Sequence, residues 1–229
     1  MTLKALGATV LVAMLALTGC GGDDSSGGGK PVDAKTALAG AKKSFDDASG
    51  VHFTMSTKAT PKGDAVLGAD GSLTDQPAFD GKVKVVYKGF AAEIPVVSVD
   101  GDVYAKLPFS AAFAKIDPAE FSAPDPADFI DPSKGISGIL LELGDAKQTD
   151  RTREGKDIVT TYTGTVSGER VAGIIPSASK DSDYQAVIGI ADDTIVTLSI
   201  TGDFFDGEDA ATFKLVFDKY GEVGKIKKP

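Results

Sequence analysis

The chain contains one cysteine, one histidine, no tryptophan and no asparagine. A lone Cys20 excludes an intrachain disulfide, so stability must come from burial. One His and one Cys are too few soft ligands for most metal centres, and nothing supports a Cys–His catalytic pair. Without Asn there is no Asn-X-Ser/Thr glycosylation acceptor. Positive charge is scarce as well: 24 Lys+Arg stand against 33 Asp+Glu, for a net charge of −9. A surface of that sign does not bind a phosphate backbone, which excludes a nucleic-acid partner. The sequence has no Gly-x-x-x-x-Gly-Lys-[Ser/Thr] loop, no Gly-x-Ser-x-Gly elbow and no His-Glu-x-x-His pair. Neither a nucleotide, a metal nor any other cofactor is called for, and no catalytic residue is expected.

The apolar content is concentrated first at the amino terminus. Lys4 precedes an uncharged apolar run from Ala5 to Leu17. As a helix this run spans about 20 Å, short of the ~30 Å hydrocarbon core, so it reads as a signal peptide rather than a spanning anchor. It ends in Leu17-Thr18-Gly19-Cys20, which resembles a bacterial lipobox. That resemblance implies cleavage before Cys20, a diacylglycerol on its sulfur and acylation of the new amino terminus. Two or more acyl chains make a stable membrane anchor. Gly21 to Lys30 reads GGDDSSGGGK and cannot bury a core, so it is a flexible tether. The expected organisation is a signal peptide over 1–19, an acylated Cys and linker over 20–30, and a folded body over 31–229. The body would lie outside the cytoplasmic membrane, held to its outer face.

Within the body, Asp33 is placed to cap a helix whose Ala37, Leu38, Ala41, Phe45 and Ala48 recur at helical spacing, with Gly50 as its stop. Strand-like segments follow at 52–59, 66–73, 79–87, 90–99 and 102–107, separated by Gly and Asp turn signals. Asp100-Gly101 suits a two-residue hairpin turn. Pro95 cannot donate to a ladder, which places it at an edge or a bulge. Residues 108–132 hold five prolines and read as a stiff, irregular connection. Asp131-Pro132 then predicts a helix start, with Ile136, Ile139, Leu140 and Leu143 on one face and Gly144 as the stop. A strand at 158–165 leads to a short helix capped by Ser167, with Val171, Ile174 and Ile175 on one side and Pro176 at its end. Three strands close the chain at 184–191, 194–201 and 212–220, the first two joined by Asp192-Asp193. This order is α+β, with about ten antiparallel strands, enough for a sheet to curl strongly.

His52 reads as a sheet residue, since no nucleophile or orienting acid is marked for it. The acidic group Asp203, Asp206, Glu208 and Asp209 lacks the spacing of a calcium loop and reads as a solvated turn, as do Asp181 and Asp183. The apolar stripes have two readings. The plainer is that they close the core; the other is that they line an apolar cavity between helices and sheet. On the second reading the lining comprises Ile136, Ile139, Leu140 and Leu143 on one helix and Val171, Ile174 and Ile175 on the next. Val83, Val85, Phe213 and Leu215 would complete it from the strands.

Several stretches carry a resemblance in their joint order. They are Val99-Asp100-Gly101-Asp102-Val103-Tyr104-Ala105-Lys106-Leu107-Pro108-Phe109, Lys115-Ile116-Asp117-Pro118, Ala123-Pro124-Asp125-Pro126, Thr160-Thr161-Tyr162-Thr163-Gly164-Thr165, Ile174-Ile175-Pro176-Ser177 and Phe217-Asp218-Lys219-Tyr220-Gly221. With the lipobox, they resemble the LppX/LprA/LprF/LprG family of mycobacterial lipoproteins, over essentially the whole body. The resemblance implies a strongly curved antiparallel half-barrel with helices on its concave face around a hydrophobic cavity, an architecture similar to the Lol-system carriers. It also implies binding of multiply acylated lipids, glycolipids or triacylglycerides, and their carriage from the cytoplasmic membrane toward the outer envelope. A major-facilitator efflux transporter is the implied protein partner. A non-catalytic scaffold lipoprotein with no cargo is the alternative, and an acyl-chain hydrolase a third.

Overall fold

The computed structural model describes residues 33–121 and 123–229. Cys20 and the expected signal and tether therefore lie outside the described residues. Helix α1 (Ala34–Asp46) is capped by Asp33, whose side chain accepts from the Thr36 amide. Strands β1 (Gly50–Thr57), β2 (Ala65–Thr74), β3 (Ala78–Tyr87), β4 (Phe90–Val99), β5 (Asp102–Ala105) and β6 (Ala114–Ile116) form a meander. A crossing segment over 117–143 carries only short 3₁₀ turns. A second meander follows: β7 (Gly144–Glu154), β8 (Asp157–Ser167), helix α2 (Gly168–Ala172), β9 (Asp183–Ala191), β10 (Thr194–Gly202) and β11 (Ala211–Asp218).

All eleven strands belong to one antiparallel sheet in the order β6-β5-β4-β3-β2-β1-β11-β10-β9-β8-β7. The first meander grows outward from β1 and the second returns inward to β11. Pairing of β1 with β11, Phe53 opposite Phe217, joins them at the centre. Laid flat, such a sheet would be about 48 Å wide. It curls instead into an open half-barrel, which lets a few short helices cover its concave face. Inward-facing side chains of β1, β11, β10 and β9 alternate with outward ones: Val51, Phe53 and Met55; Phe213, Leu215 and Phe217; Leu198 and Ile200; Tyr184, Ala186, Ile188 and Ile190. Full burial of each large apolar side chain stabilises by about 1.5–3 kcal/mol. Phe45 of α1 packs edge-on against Phe217 at 5.8 Å, seating the helix on the sheet centre.

The hairpin turns obey local chemistry. Asp100 and Gly101 have φ of 55° and 74°, and Asp192 and Asp193 have 47° and 56°, the doubly positive pairs of two-residue turns matched to strand twist. Pro95 ends the β4–β5 ladder. Its carbonyl accepts from the Lys106 amide at 2.9 Å, and its nitrogen faces that same side, where β5 stops.

Four elements differ from the sequence expectation. The helix from Asp131-Pro132 is instead a 3₁₀ turn, Ile136–Leu140, with Gly135 before it. Asp131 does cap a single turn, its carboxylate accepting from the Ser133 and Lys134 amides and its carbonyl from the Gly135 amide at 2.8 Å, but Gly135 is extended and ends the turn there. The helix after Ser167 is shorter than expected: Ile174 and Ile175 lie in a turn beyond it, both donating to the Val171 carbonyl, and the Ser167 side chain makes no capping bond. Strand β6 lies in the stretch read as an irregular connection, and β7 in a stretch where no element was expected. β7 is exposed along almost all of its length and has no apolar alternation. Its Lys147, Asp150, Arg151, Arg153 and Glu154 charge the sheet edge, which blunts pairing with other chains.

Candidate functional site

The topology fixes where the site lies. β6 and β7 are the two opposite edges of the sheet, so the chain between them must travel from edge to edge. It does so across the concave face. The turn Pro126–Ile130 packs over β2, β3 and β4, and the turn Ile136–Leu140 packs against α1. Among the described residues, the backbone hydrogen bonds of this crossing segment close within the segment itself. It is a lid: apolar underneath, with no backbone ladder to the sheet.

Its underside is Phe129, Ile130, Ile136, Ile139 and Leu140, each at most 6 % exposed. They join Val171, Ile174 and Ile175 from the α2 region and Phe213 and Leu215 from the sheet in one apolar cluster. Leu143 belongs to the same cluster. Of the residues assigned to a lining, nine are thus brought together in full burial. Val83 packs against the cluster from the far wing and is only half-buried, and Val85 is half-buried on the same strand. Most of these side chains have no accessible surface, so in this structure they fill the interior against one another. Acyl chains could occupy it only if lid and sheet moved apart.

Polar contacts hold the lid at two places. On one side Lys42 of α1 donates to the Pro132 carbonyl at 2.6 Å and pairs with Asp46 at 2.6 Å. The Asp46 carboxylate also accepts from the Ser137 hydroxyl at 2.6 Å. On the other side Arg170 of α2 donates to the Gly135 carbonyl at 3.3 Å and lies 3.6 Å from Glu142. Gly138 is needed there, because a Cβ at that position would overlap the guanidinium. Within the lid, burial and the neighbouring Asp125 and Asp131 push the Asp128 carboxyl above its usual value. Sequence reasoning missed both clamps. No local signal marked them, because α1 also carries Lys35, Lys43 and Asp46, and α2 also carries Glu169.

His52 lies on the outer face of the sheet centre. Its Nδ1 is 2.7 Å from Asp218 and its Nε2 3.1 Å from Asp70, carboxylates of the two neighbouring strands. Both ring nitrogens are taken by cross-strand partners. Among the described residues no group of His, Cys, Asp and Glu is disposed to hold a metal ion, the Asp203–Asp209 turn included. Two open clefts, of about 750 and 970 Å³, lie away from the lid. The smaller runs beneath the carboxy-terminal residues Lys225–Lys228 and the larger beside Ser56–Thr60. Among the described residues no helix is long and apolar enough to cross a membrane.

Known proteins are similar to this chain in sequence and in fold. The chain is 28% identical over 233 residues to the lipoarabinomannan carrier protein LprG of Mycolicibacterium hassiacum, covering 99% of this chain and 97% of that one. It is 25% identical over 229 residues to the protein of the same name from Mycobacterium tuberculosis, covering 97% and 93%. The crystal structure of LprF from Mycobacterium bovis superposes with a TM-score of 0.72 at 17% identity, over 88% of this chain and 99% of that one. The M. tuberculosis lipoprotein LppX gives 0.60 at 16%, over 85% and 98%. The family model described as LppX_LprAFG lipoprotein matches residues 33–223. By that match and the shared half-barrel, the chain belongs to the LppX_LprAFG lipoprotein family.

Proposed function

We propose that this protein is a cell-envelope lipoprotein that carries multiply acylated lipid or glycolipid in the interior between its curved sheet and its lid. One observation carries the reading: an edge-to-edge segment with an apolar underside covers the concave face without any backbone ladder to it. Such a segment opens at less cost than a strand or a packed helix. The relatives named as lipoarabinomannan carriers support the same reading. Ile136, Ile139, Leu140, Leu143, Val171, Ile174, Ile175, Phe213 and Leu215 line the opened space, with Val83 and Val85 at its far wing.

The proposal extends to the whole chain. Residues 1–19 direct export, Cys20 is acylated and holds the protein at the outer face of the cytoplasmic membrane, and 21–30 tether the body over 31–229. Each buried CH₂ stabilises by about 0.8 kcal/mol, so a sixteen-carbon chain is worth on the order of 12 kcal/mol against water. Release into water is then too slow to serve transport. Cargo passes directly to a membrane or a partner toward the outer envelope, and an efflux transporter is the partner that would supply the energy.

Native mass spectrometry of protein made in an actinobacterial host tests this. Co-purified multiacyl lipid near unit stoichiometry, reduced in Leu140→Trp, is the expected result. A clean apo mass after incubation with lipid extract would leave the scaffold reading, which the filled interior favours.

A further inference from the structure

Among the described residues, three buried side-chain polar atoms lack a hydrogen-bond partner: Ser98 Oγ, Ser177 Oγ and Arg170 Nε. Only the last belongs to a permanent charge. The Arg170 side chain is 10 % exposed. Nη2 donates to the Gly135 carbonyl, while Nε, the buried donor without a hydrogen bond, faces Glu142 Oε1 across a longer ion-pair distance. The nearest carboxylate, Glu142, sits at 3.6 Å, outside hydrogen-bond reach, on a side chain 52 % exposed. The chain has made room for this cation by placing glycine at 138. A buried charge left so incompletely paired is costly unless something else completes it.

We propose that Arg170 is an anion seat that takes the phosphodiester of an acylated lipid's headgroup where the lid meets α2. This rests on the carrier reading and specifies the cargo class. A tetrahedral phosphodiester offers two oxygens at the spacing of the guanidinium fork, which one carboxylate oxygen at 3.6 Å does not supply. Glu142, largely in solvent, swings aside at little cost and stands in for the anion when the site is unloaded. The position suits the cargo. Val171, next in sequence to Arg170, and Ile139 of the lid are fully buried in the apolar cluster, so a headgroup held at the guanidinium has its chains directed beneath the lid. The same phosphate chemistry could come from free inorganic phosphate, and the test separates the two.

The full chain in mild detergent is offered equal amounts of dipalmitoylphosphatidylglycerol and dipalmitoylglycerol, which share chains and differ in the phosphodiester headgroup. Retained lipid is counted by native mass spectrometry. The expected result is a preference for the phospholipid that falls about tenfold or more in Arg170→Gln, because charge-assisted hydrogen bonds are lost. Glu142→Gln, which removes the competing carboxylate, raises the preference. Arg170→Lys, which keeps charge but loses the fork, lowers it and serves if Arg170→Gln does not fold. Inorganic phosphate that binds wild type but not the Arg170 variants, with no lipid preference, identifies free phosphate as the ligand. Equal lipid ratios in wild type and all variants, without phosphate binding, overturn the seat while leaving the carrier reading standing. A wild type that retains neither lipid overturns the carrier reading, and phosphate binding then decides the Arg170 site alone.

Discussion

The two clamps on the lid make opposite use of a buried cation. Lys42 is saturated: its ammonium meets the Asp46 carboxylate, the Pro132 carbonyl and the Ser137 hydroxyl, which itself donates to Asp46. Arg170 has more donors and fewer partners. A closed network holds two elements in register, because every member loses a partner if they part. An incomplete one leaves donors to spare. If the proposed opening occurs, the α1 clamp is the side that stays closed and the α2 clamp the side that parts.

The largest expected effect tests the closed clamp. Asp46→Ala strands the Lys42 ammonium and the Ser137 hydroxyl together, and should lower stability by about 2–3 kcal/mol in urea denaturation. A loss as small as that of an exposed pair would erase the distinction drawn here. Next is Gly138→Ala, whose Cβ displaces the guanidinium and lies 2.9 Å from the Ser133 carbonyl oxygen. It should cost about 1–2 kcal/mol, and less in an Arg170→Gln background, so a double-mutant cycle should show coupling. Glu142→Gln should change stability by no more than about 0.5 kcal/mol, since its carboxylate is exposed and poorly placed. An effect matching Asp46→Ala would show the two clamps to be equivalent.

A partly exposed surface cluster sets the lower end. Hydrogen bonds from Lys115 and Lys228, opposed by desolvation and joined by Tyr104, lower the Asp102 carboxyl to about 2. Its unfolded value is about 3.9, so its contribution is complete above that pH and is lost as pH falls toward 2. Lys228 thereby ties the carboxy-terminal residues to the β4–β5 turn. Amide exchange near Ile226 should quicken over that window in wild type and be pH-independent there, beyond the intrinsic rate, in Asp102→Asn.

Much of the fold was legible because its signals are local. Alternation in β1, β9, β10 and β11, the Asp-Gly and Asp-Asp turns and the Asp33 cap each depend on residues close in sequence. β7 was not legible, since GDAKQTDRTRE has no apolar period and becomes a strand only by pairing with β8. The stripe Ile136-Ile139-Leu140-Leu143 correctly marked a buried face and misled about its form. Asp131 caps one turn, but the extended Gly135 breaks it off, and Gly135 and Gly138 weaken an α-helix that propensity would otherwise extend.

Local sequence carries the α+β class, the curling sheet and the apolar stripes, and it holds no nucleotide or metal signature. These follow from composition and from periods of two and of three to four residues. That the proline-rich middle crosses the concave face follows from pairing between distant strands. β1 pairs with β11, which drives β6 and β7 to opposite edges and obliges the segment between them to cross the face. Tertiary structure likewise decided which cation is satisfied. Lys42 and Pro132 are 90 residues apart, and Arg170 and Gly135 are 35 apart. Partners so distant meet only when the whole chain has closed on itself, and no local pattern records whether a charge will find one.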